Sequence, residues 1–221
     1  MIVPSMTVKE IHKEVFDDLK TLRNKLDELR SDFRRIVLKC NCYPITKSYD
    51  YKTREKQNLF IIQFTALKRS AWKKPVISIY GIYLRPEGRY AVISSLDINI
   101  TTIYPPHFFK RYRERILKDE SISNEDIIRH YFKNDWGFTG VVVNEKFESV
   151  YHYFENDNKD ETVSFVGATN QGYCFGEKQG NVNIIKTIIS DDMLFENQKS
   201  IFYELRTAFQ DANKKRYGMT V

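Results

Sequence analysis

The sequence of 221 residues predicts an α+β protein in which helices pack against an antiparallel sheet and a long N-terminal helix precedes them. Over the first forty residues, apolar positions alternate between spacings of four and three, which is typical of a helix. From residue 58 onward, short β-rich runs follow one another between turn residues, and segments with helical spacing interrupt them. With 42% hydrophobic and 14% aromatic residues, the chain can bury a substantial core.

The first helix is predicted to run from a capping box to about residue 38. Thr7 and Glu10 have the spacing at which a hydroxyl and a carboxylate accept the free N–H groups of a helix start. Neither Gly nor Pro occurs between residues 8 and 38. The near-heptad apolar positions are Val15, Leu19, Leu22, Leu26, Leu29, Phe33 and Ile36. This stripe suits packing within the chain and a homodimer seam equally well, so both stay open for the helix at 1–40.

The middle of the chain predicts a connection followed by strands. Residues 40–50, which include Pro44, are interpreted as the connection, and a domain boundary is expected near 40–55. Extended runs are predicted at 58–67, 75–84, 89–96 and 98–104. Between the second and third of these runs, Arg85-Pro86-Glu87-Gly88 has the turn residues of a hairpin. Residues 55–221 are therefore assigned to a single α+β domain.

Residues 104–117 predict a helix with one apolar and one basic face. Pro105 and Pro106 suit its start, because a missing N–H costs nothing there. Its apolar positions are Phe108, Tyr112 and Ile116. Its basic positions are His107, Arg111 and Arg115, which drift by only about 40° from one to the next. An imidazole transfers protons near neutral pH and guanidinium groups bind phosphate, so this face predicts phosphodiester chemistry; a solvated surface helix would show the same spacing.

The C-terminal part predicts further short elements. Ser123 has the position of a cap for a helix with apolar residues at 127, 128, 131 and 132. Strands are expected at 149–154, 162–166, 172–175 and 182–189, with a turn over 176–181. Residues 141–148 are ambiguous between strand and turn. Ser190 is predicted to cap a C-terminal helix.

Composition narrows the class of protein. The net charge of +6 and the pI near 9.0 favour an anionic partner. Three cysteines do not make a disulfide framework, and no closely spaced His/Asp/Glu set predicts a metal site or cofactor. The sequence shows neither a signal-peptide pattern nor an apolar run of about 20 residues, so the expectation is a cytoplasmic protein with no membrane partner.

The helix His107-x3-Arg111-x3-Arg115, the capped segment at 123–128 and the strand that contains Thr187 together resemble the barnase–EndoU–colicin–RelE-like ribonuclease superfamily. More narrowly, they resemble phage and mobile-element members that begin with such a helix. The resemblance covers about residues 100–190. It implies RNA as partner and metal-independent cleavage through attack by the ribose 2′-hydroxyl.

The resemblance also implies roles for individual residues. His107 would be the general acid or base, Arg111 and Arg115 would hold the scissile phosphate, and Thr187 would offer a hydroxyl to a phosphate oxygen. Groups assigned to substrate binding are Lys110, Arg113, Tyr151, His152 and Tyr153. Two alternatives stand beside a ribonuclease: a non-catalytic nucleic-acid-binding or assembly protein of a phage or mobile element, and a purely structural interaction module.

Overall fold

The computed structural model describes residues 1–95, 98–144, 147 and 162–217, and its contacts group the chain into two compact units, 1–101 and 102–221. Both units contain helices and antiparallel strands, which confirms the predicted α+β class. The sequence pattern suggested a boundary near 40–55, whereas here the long N-terminal helix shares a unit with the strands that follow it.

The first unit combines one long helix with an antiparallel meander. Its elements are α1 (Val8–Lys39), β1 (Ile45–Lys52), β2 (Leu59–Ala66), a 3-10 helix (Arg69–Lys73), β3 (Val76–Arg85) and β4 (Gly88–Ser95). The predicted capping box is present: Thr7 Oγ1 accepts the Glu10 N–H, and the Glu10 carboxylate accepts the Thr7 N–H. Each strand from β1 to β4 pairs antiparallel with the next.

β1 begins at Ile45, so the interpretation of residues 40–50 as a connection was wrong for residues 45–50, whereas residues 40–44 do form the connection. Lys47, Ser48 and Asp50 on this strand are exposed, and the local pattern therefore lacks the apolar residues that mark a buried strand. The strand forms because its backbone pairs with β2 along its whole length, from Ile45 opposite Ala66 to Lys52 opposite Leu59. Such long-range pairing leaves no local signal.

α1 buries its apolar stripe within the protein. The side chains of Val15, Leu19, Leu22 and Phe33 are at most 4% exposed. α1 contacts β1, β2 and β4, and the ring of Phe33 lies 5.4 Å from that of Phe64 on β2. A homodimer formed through α1 would therefore have to use the polar face of the helix.

The second unit surrounds its sheet with shorter helices and one long one. Its elements are β5 (Ile100–Tyr104, whose last three residues belong here), α2 (Pro106–Tyr112), a π-helical turn (Arg113–Leu117), α3 (Asp126–Lys133), β6 (Thr139–Val142), β7 (Val163–Thr169), β8 (Gly172–Gln179), β9 (Val182–Ile189), a 3-10 helix (Asp191–Met193) and α4 (Glu196–Tyr217). β6, β7, β8 and β9 pair antiparallel in that order, and β5 lies beside β9.

Helices cover both faces of β8. The rings of Tyr173 and Phe175 lie 4.8 and 6.1 Å from the ring of Phe202 on α4. Cys174 is 1% exposed, and because successive strand residues point to opposite faces, it lies on the other side. There burial raises the pKa of the Cys174 thiol to about 12, and the charge of Asp135, just after α3, raises the pKa further.

Several element bounds follow the sequence and others correct it. β9 has the predicted bounds, whereas β8 extends to Gln179 and shortens the expected turn, which contains Gly180 with φ +56°. The long C-terminal helix begins at Glu196 and not after Ser190, because the Ser190 hydroxyl binds the Asp192 carboxylate and precedes a 3-10 helix instead. The strand expected at 149–154 lies outside the described residues.

Candidate functional site

α2 is held in place by aromatic residues on its inner face. Phe108, Phe109 and Tyr112 are at most 3% exposed. The ring of Tyr131 on α3 lies 5.0 Å from that of Phe108 and 5.1 Å from that of Tyr112, both in edge-to-face geometry. With these positions packed inward, the helix directs His107, Lys110 and Arg111 towards its outer, solvent-facing side.

The helix predicted over 104–117 changes its winding part-way. After Tyr112 it continues as a π-helical turn, and the N–H of Lys118, in the left-handed region at φ +53°, closes the turn on the carbonyl of Arg113 at 2.9 Å. π-helical turns are rare in proteins as a whole, and those that occur are often found at functional sites. Arg115 projects from this turn.

Arg115 and Thr187 are in direct contact, although 72 residues separate them in the chain. Nη1 of Arg115 donates to Oγ1 of Thr187 at 3.0 Å and to the carbonyl of Ile188 at 3.4 Å. Thr187 is 1% exposed, whereas Arg115 is half-buried. Two residues that the resemblance assigned to one site are thus neighbours, and the guanidinium of Arg115 is held on β9, the last strand in chain order.

Arg111 is engaged by a carboxylate that the sequence reasoning did not single out. Its Nη1 lies 2.9 Å from Oε2 of Glu114, and Nζ of Lys110 lies 3.9 Å from Oε1 of the same side chain. Spacings of three and four residues place these groups on one helix face, so the pairing was readable from the sequence. Glu114 therefore occupies the position that an anionic ligand of Arg111 would take.

His107 is an imidazole among cations. Partial burial is the main cause that lowers its pKa, the charges of Arg111, Arg115 and Lys110 lower the pKa further, and Glu114 acts in the opposite direction. The sequence-predicted triad is therefore close enough to interact electrostatically. Since the ordinary pKa of histidine is already below 7, the neutral ring predominates at neutral pH and can accept a proton.

The residues predicted to bind substrate fall into three groups. Lys110 is exposed beside the site, whereas Nη2 of Arg113 donates to Oδ1 of Asn124 at 2.7 Å and holds the loop before α3. Tyr151, His152 and Tyr153 lie outside the described residues.

Asp135 is a second titratable group of this unit, and no local pattern of residues points to it. It follows α3, and the backbone N–H of Gly137 donates to its Oδ1 at 3.3 Å. Burial raises the pKa of Asp135 to about 7, while hydrogen bonds from Gly137 and from the Tyr131 side chain act against that shift. Tyr131 is in turn hydrogen-bonded to Tyr104, so the carboxyl ends a short chain of buried polar groups.

Two classes of feature do not occur in the part of the chain that the structure describes. No three His, Cys, Asp or Glu side chains there come together in a group that could hold a metal ion. Across the same residues, no helix has both the length and the apolar character that crossing a membrane requires.

Comparisons with known proteins found no relative of this chain. No family model, no curated protein and no solved structure matches the chain. The resemblance to the ribonuclease superfamily therefore stays a prediction that rests on the residues of this sequence.

Proposed function

We propose that the second unit binds RNA at the outer face of α2 and cleaves its phosphodiester bonds without a metal ion. The observation that carries the proposal is the contact of Arg115 with Thr187, which holds a guanidinium on β9 at the end of the helix that also bears His107 and Arg111. The charges of both arginines help to lower the pKa of His107, so its imidazole is neutral at neutral pH. A proton acceptor beside two permanent positive charges supplies the base and the charge stabilisation that cleavage of a phosphodiester through its own 2′-hydroxyl uses.

In the proposed reaction, the ribose O2′ attacks phosphorus and the P–O5′ bond breaks. His107 takes the proton of the 2′-hydroxyl, and the departing O5′ receives a proton from water. The products are a 2′,3′-cyclic phosphate and a 5′-hydroxyl. Arg115, anchored on Thr187, and Arg111 would neutralise the charge that grows on the non-bridging oxygens.

Glu114 has two effects in this scheme. Glu114 must release Arg111 before that guanidinium can bind a phosphate, because the Glu114 carboxylate and the phosphate would both accept from the same N–H groups of Arg111. The Glu114 charge also raises the pKa of His107. It therefore stabilises the imidazolium that forms when His107 accepts the proton of the 2′-hydroxyl.

The test uses a labelled single-stranded RNA and a DNA of the same sequence, both in EDTA. We expect cleavage of the RNA alone, with cyclic-phosphate ends, and a loss of activity in Arg111→Ala. Lys133→Ala removes the same charge from the exposed end of α3 and serves as the matched control. Binding without cleavage would instead support a non-catalytic nucleic-acid-binding protein, and neither binding nor cleavage would support an interaction module.

Glu114→Gln is expected to tighten RNA binding by up to about fivefold at low salt. The ion pair with Arg111 is about one-third exposed at both side chains, so releasing it is worth at most about 1 kcal/mol. Fluorescence anisotropy with a 2′-deoxy analogue, which cannot be cleaved by this route, measures the affinity. An unchanged or weaker affinity would show that phosphate does not replace Glu114 on Arg111.

A further inference from the structure

The first unit carries a basic surface that the site on α2 does not use. Residues 33–49 and residues 57–84 contain no Asp or Glu. The first stretch supplies Arg34, Arg35, Lys39 and Lys47. The second supplies Lys68, Arg69, Lys73 and Lys74. These side chains define the basic surface.

The fold brings the two stretches together. The start of β1 pairs with the end of β2, Ile45 opposite Ala66, so that Lys47 lies near the chain that leads into Lys68. The 3-10 helix Arg69–Lys73 contacts α1, and Nη2 of Arg69 donates to the carbonyl of Leu38 in the last turn of α1 at 3.1 Å. Cations from a helix end, a strand and a turn therefore share one region of the unit.

Trp72 orders the centre of the basic surface. The guanidinium carbon of Arg34 lies 4.3 Å from the centre of the Trp72 ring, and Nζ of Lys73 lies 5.9 Å from it. A guanidinium stacked on an indole is held in one orientation while the edge of its fork stays free to donate. Trp72 is half-buried, which fixes the ring in turn.

The described residues around the basic surface do not balance its charge. Among the described residues, none of its cations has a carboxylate within 4.0 Å. Asp32, the carboxylate that precedes it on α1, instead accepts the hydroxyl of Tyr49 at 2.7 Å. Within the part of the chain that the structure describes, the side chains of seven of the eight cations make no hydrogen bond, Arg69 being the exception, so they are available to a ligand.

We propose that this basic surface binds the sugar–phosphate backbone of single-stranded nucleic acid. Eight positive charges without acids match a polyanion, and an arginine ordered on an aromatic ring suits phosphate oxygens. A membrane fits less well, because Leu84 is the only large apolar side chain of the two stretches, both described in full, that is exposed, and it lies at the hairpin end of β3, opposite Arg89 and away from Lys73 and Lys74. Phe195 and Tyr203 are exposed as well, but they lie outside both stretches. The proposal does not rest on catalysis at α2.

The test measures binding of a fluorescein-labelled single-stranded RNA as a function of KCl, in EDTA and in a His107→Ala background, so that cleavage plays no part. Each phosphate contact contributes about 0.7 to the slope of log affinity against log salt. We expect the slope of the triple variant Lys68→Gln, Lys73→Gln and Lys74→Gln to fall by about 2. The control replaces Lys9, Lys13 and Lys20, exposed on the first half of α1, by Gln and should keep the slope.

A second readout locates the contact. The chain has two tryptophans, and in a Trp136→Phe variant only Trp72 emits. RNA should then change the emission of Trp72, and the lysine triple variant should reduce that change. Equal loss of slope in both triple variants, no binding of RNA, or a Trp72 response to phosphatidylserine vesicles and not to RNA would each overturn the proposal. Single-stranded DNA of the same sequence, tested in parallel, should bind with a similar slope.

Discussion

His107→Ala is expected to lower the rate of RNA cleavage by about 100- to 10,000-fold, which is the usual contribution of a positioned general base. RNA affinity should change little, because the positive charges of Arg111 and Arg115 stay in place. Single-turnover cleavage with saturating protein separates the rate from binding. His12→Gln, which changes an imidazole of the first unit, is the control. A variant that cleaves at the rate of the unmodified protein would remove His107 from the mechanism.

The pH profile gives a second check on the same residue. A general base must be neutral, so the rate should rise with pH through the pKa of His107 and level off above it. That pKa is lowered by burial and by neighbouring cations, which places the inflection below the ordinary histidine value of about 6.5. Arg111→Ala should move the inflection up, and Glu114→Gln should move it down. Shifts in the same direction for both variants would contradict this electrostatic account.

An element could be predicted from the sequence where its residue pattern lies within the element itself. The capping box at Thr7 and the β-branched run of β9 were both predictable because the residues that form the element also carry its pattern. β1 was not predictable, because its stability comes from pairing with β2 and its exposed polar residues resemble a loop. The late start of α4 was missed because Ser190 uses its hydroxyl on Asp192 and not on a helix N-terminus.

The candidate site likewise combines features that the local sequence predicts with contacts that only the fold creates. The spacing of His107, Arg111 and Arg115 is local and could be read from the chain. The pairing of Glu114 with Arg111 is equally local, because three residues separate them on one helix face. The contact between Arg115 and Thr187 depends on how α2 and β9 meet, which residue spacing does not encode, and only the resemblance to a family suggested it.

Asp135→Asn is expected to remove a pH-dependent loss of stability. The pKa of an unfolded aspartate is near 4, whereas burial raises that of Asp135 to about 7. Between these values the folded protein holds a proton that the unfolded chain has lost, so this group stabilises the fold at low pH and its contribution is lost as pH rises towards 7. A difference of about 3 in pKa corresponds to at most about 4 kcal/mol.

Asparagine cannot ionise, yet its amide oxygen can still accept the N–H of Gly137. The free energy of unfolding of Asp135→Asn, relative to the unmodified protein, should therefore increase by about 2 to 4 kcal/mol between pH 5 and pH 8. Urea unfolding followed by the emission of Trp136, in a Trp72→Phe background, reports the unit that contains Asp135. The exposed Asp211→Asn on α4 should show no such increase. If Asp135→Asn also shows none, the carboxyl is already ionised in the folded protein at pH 5, and the chain from Tyr104 through Tyr131 solvates its charge.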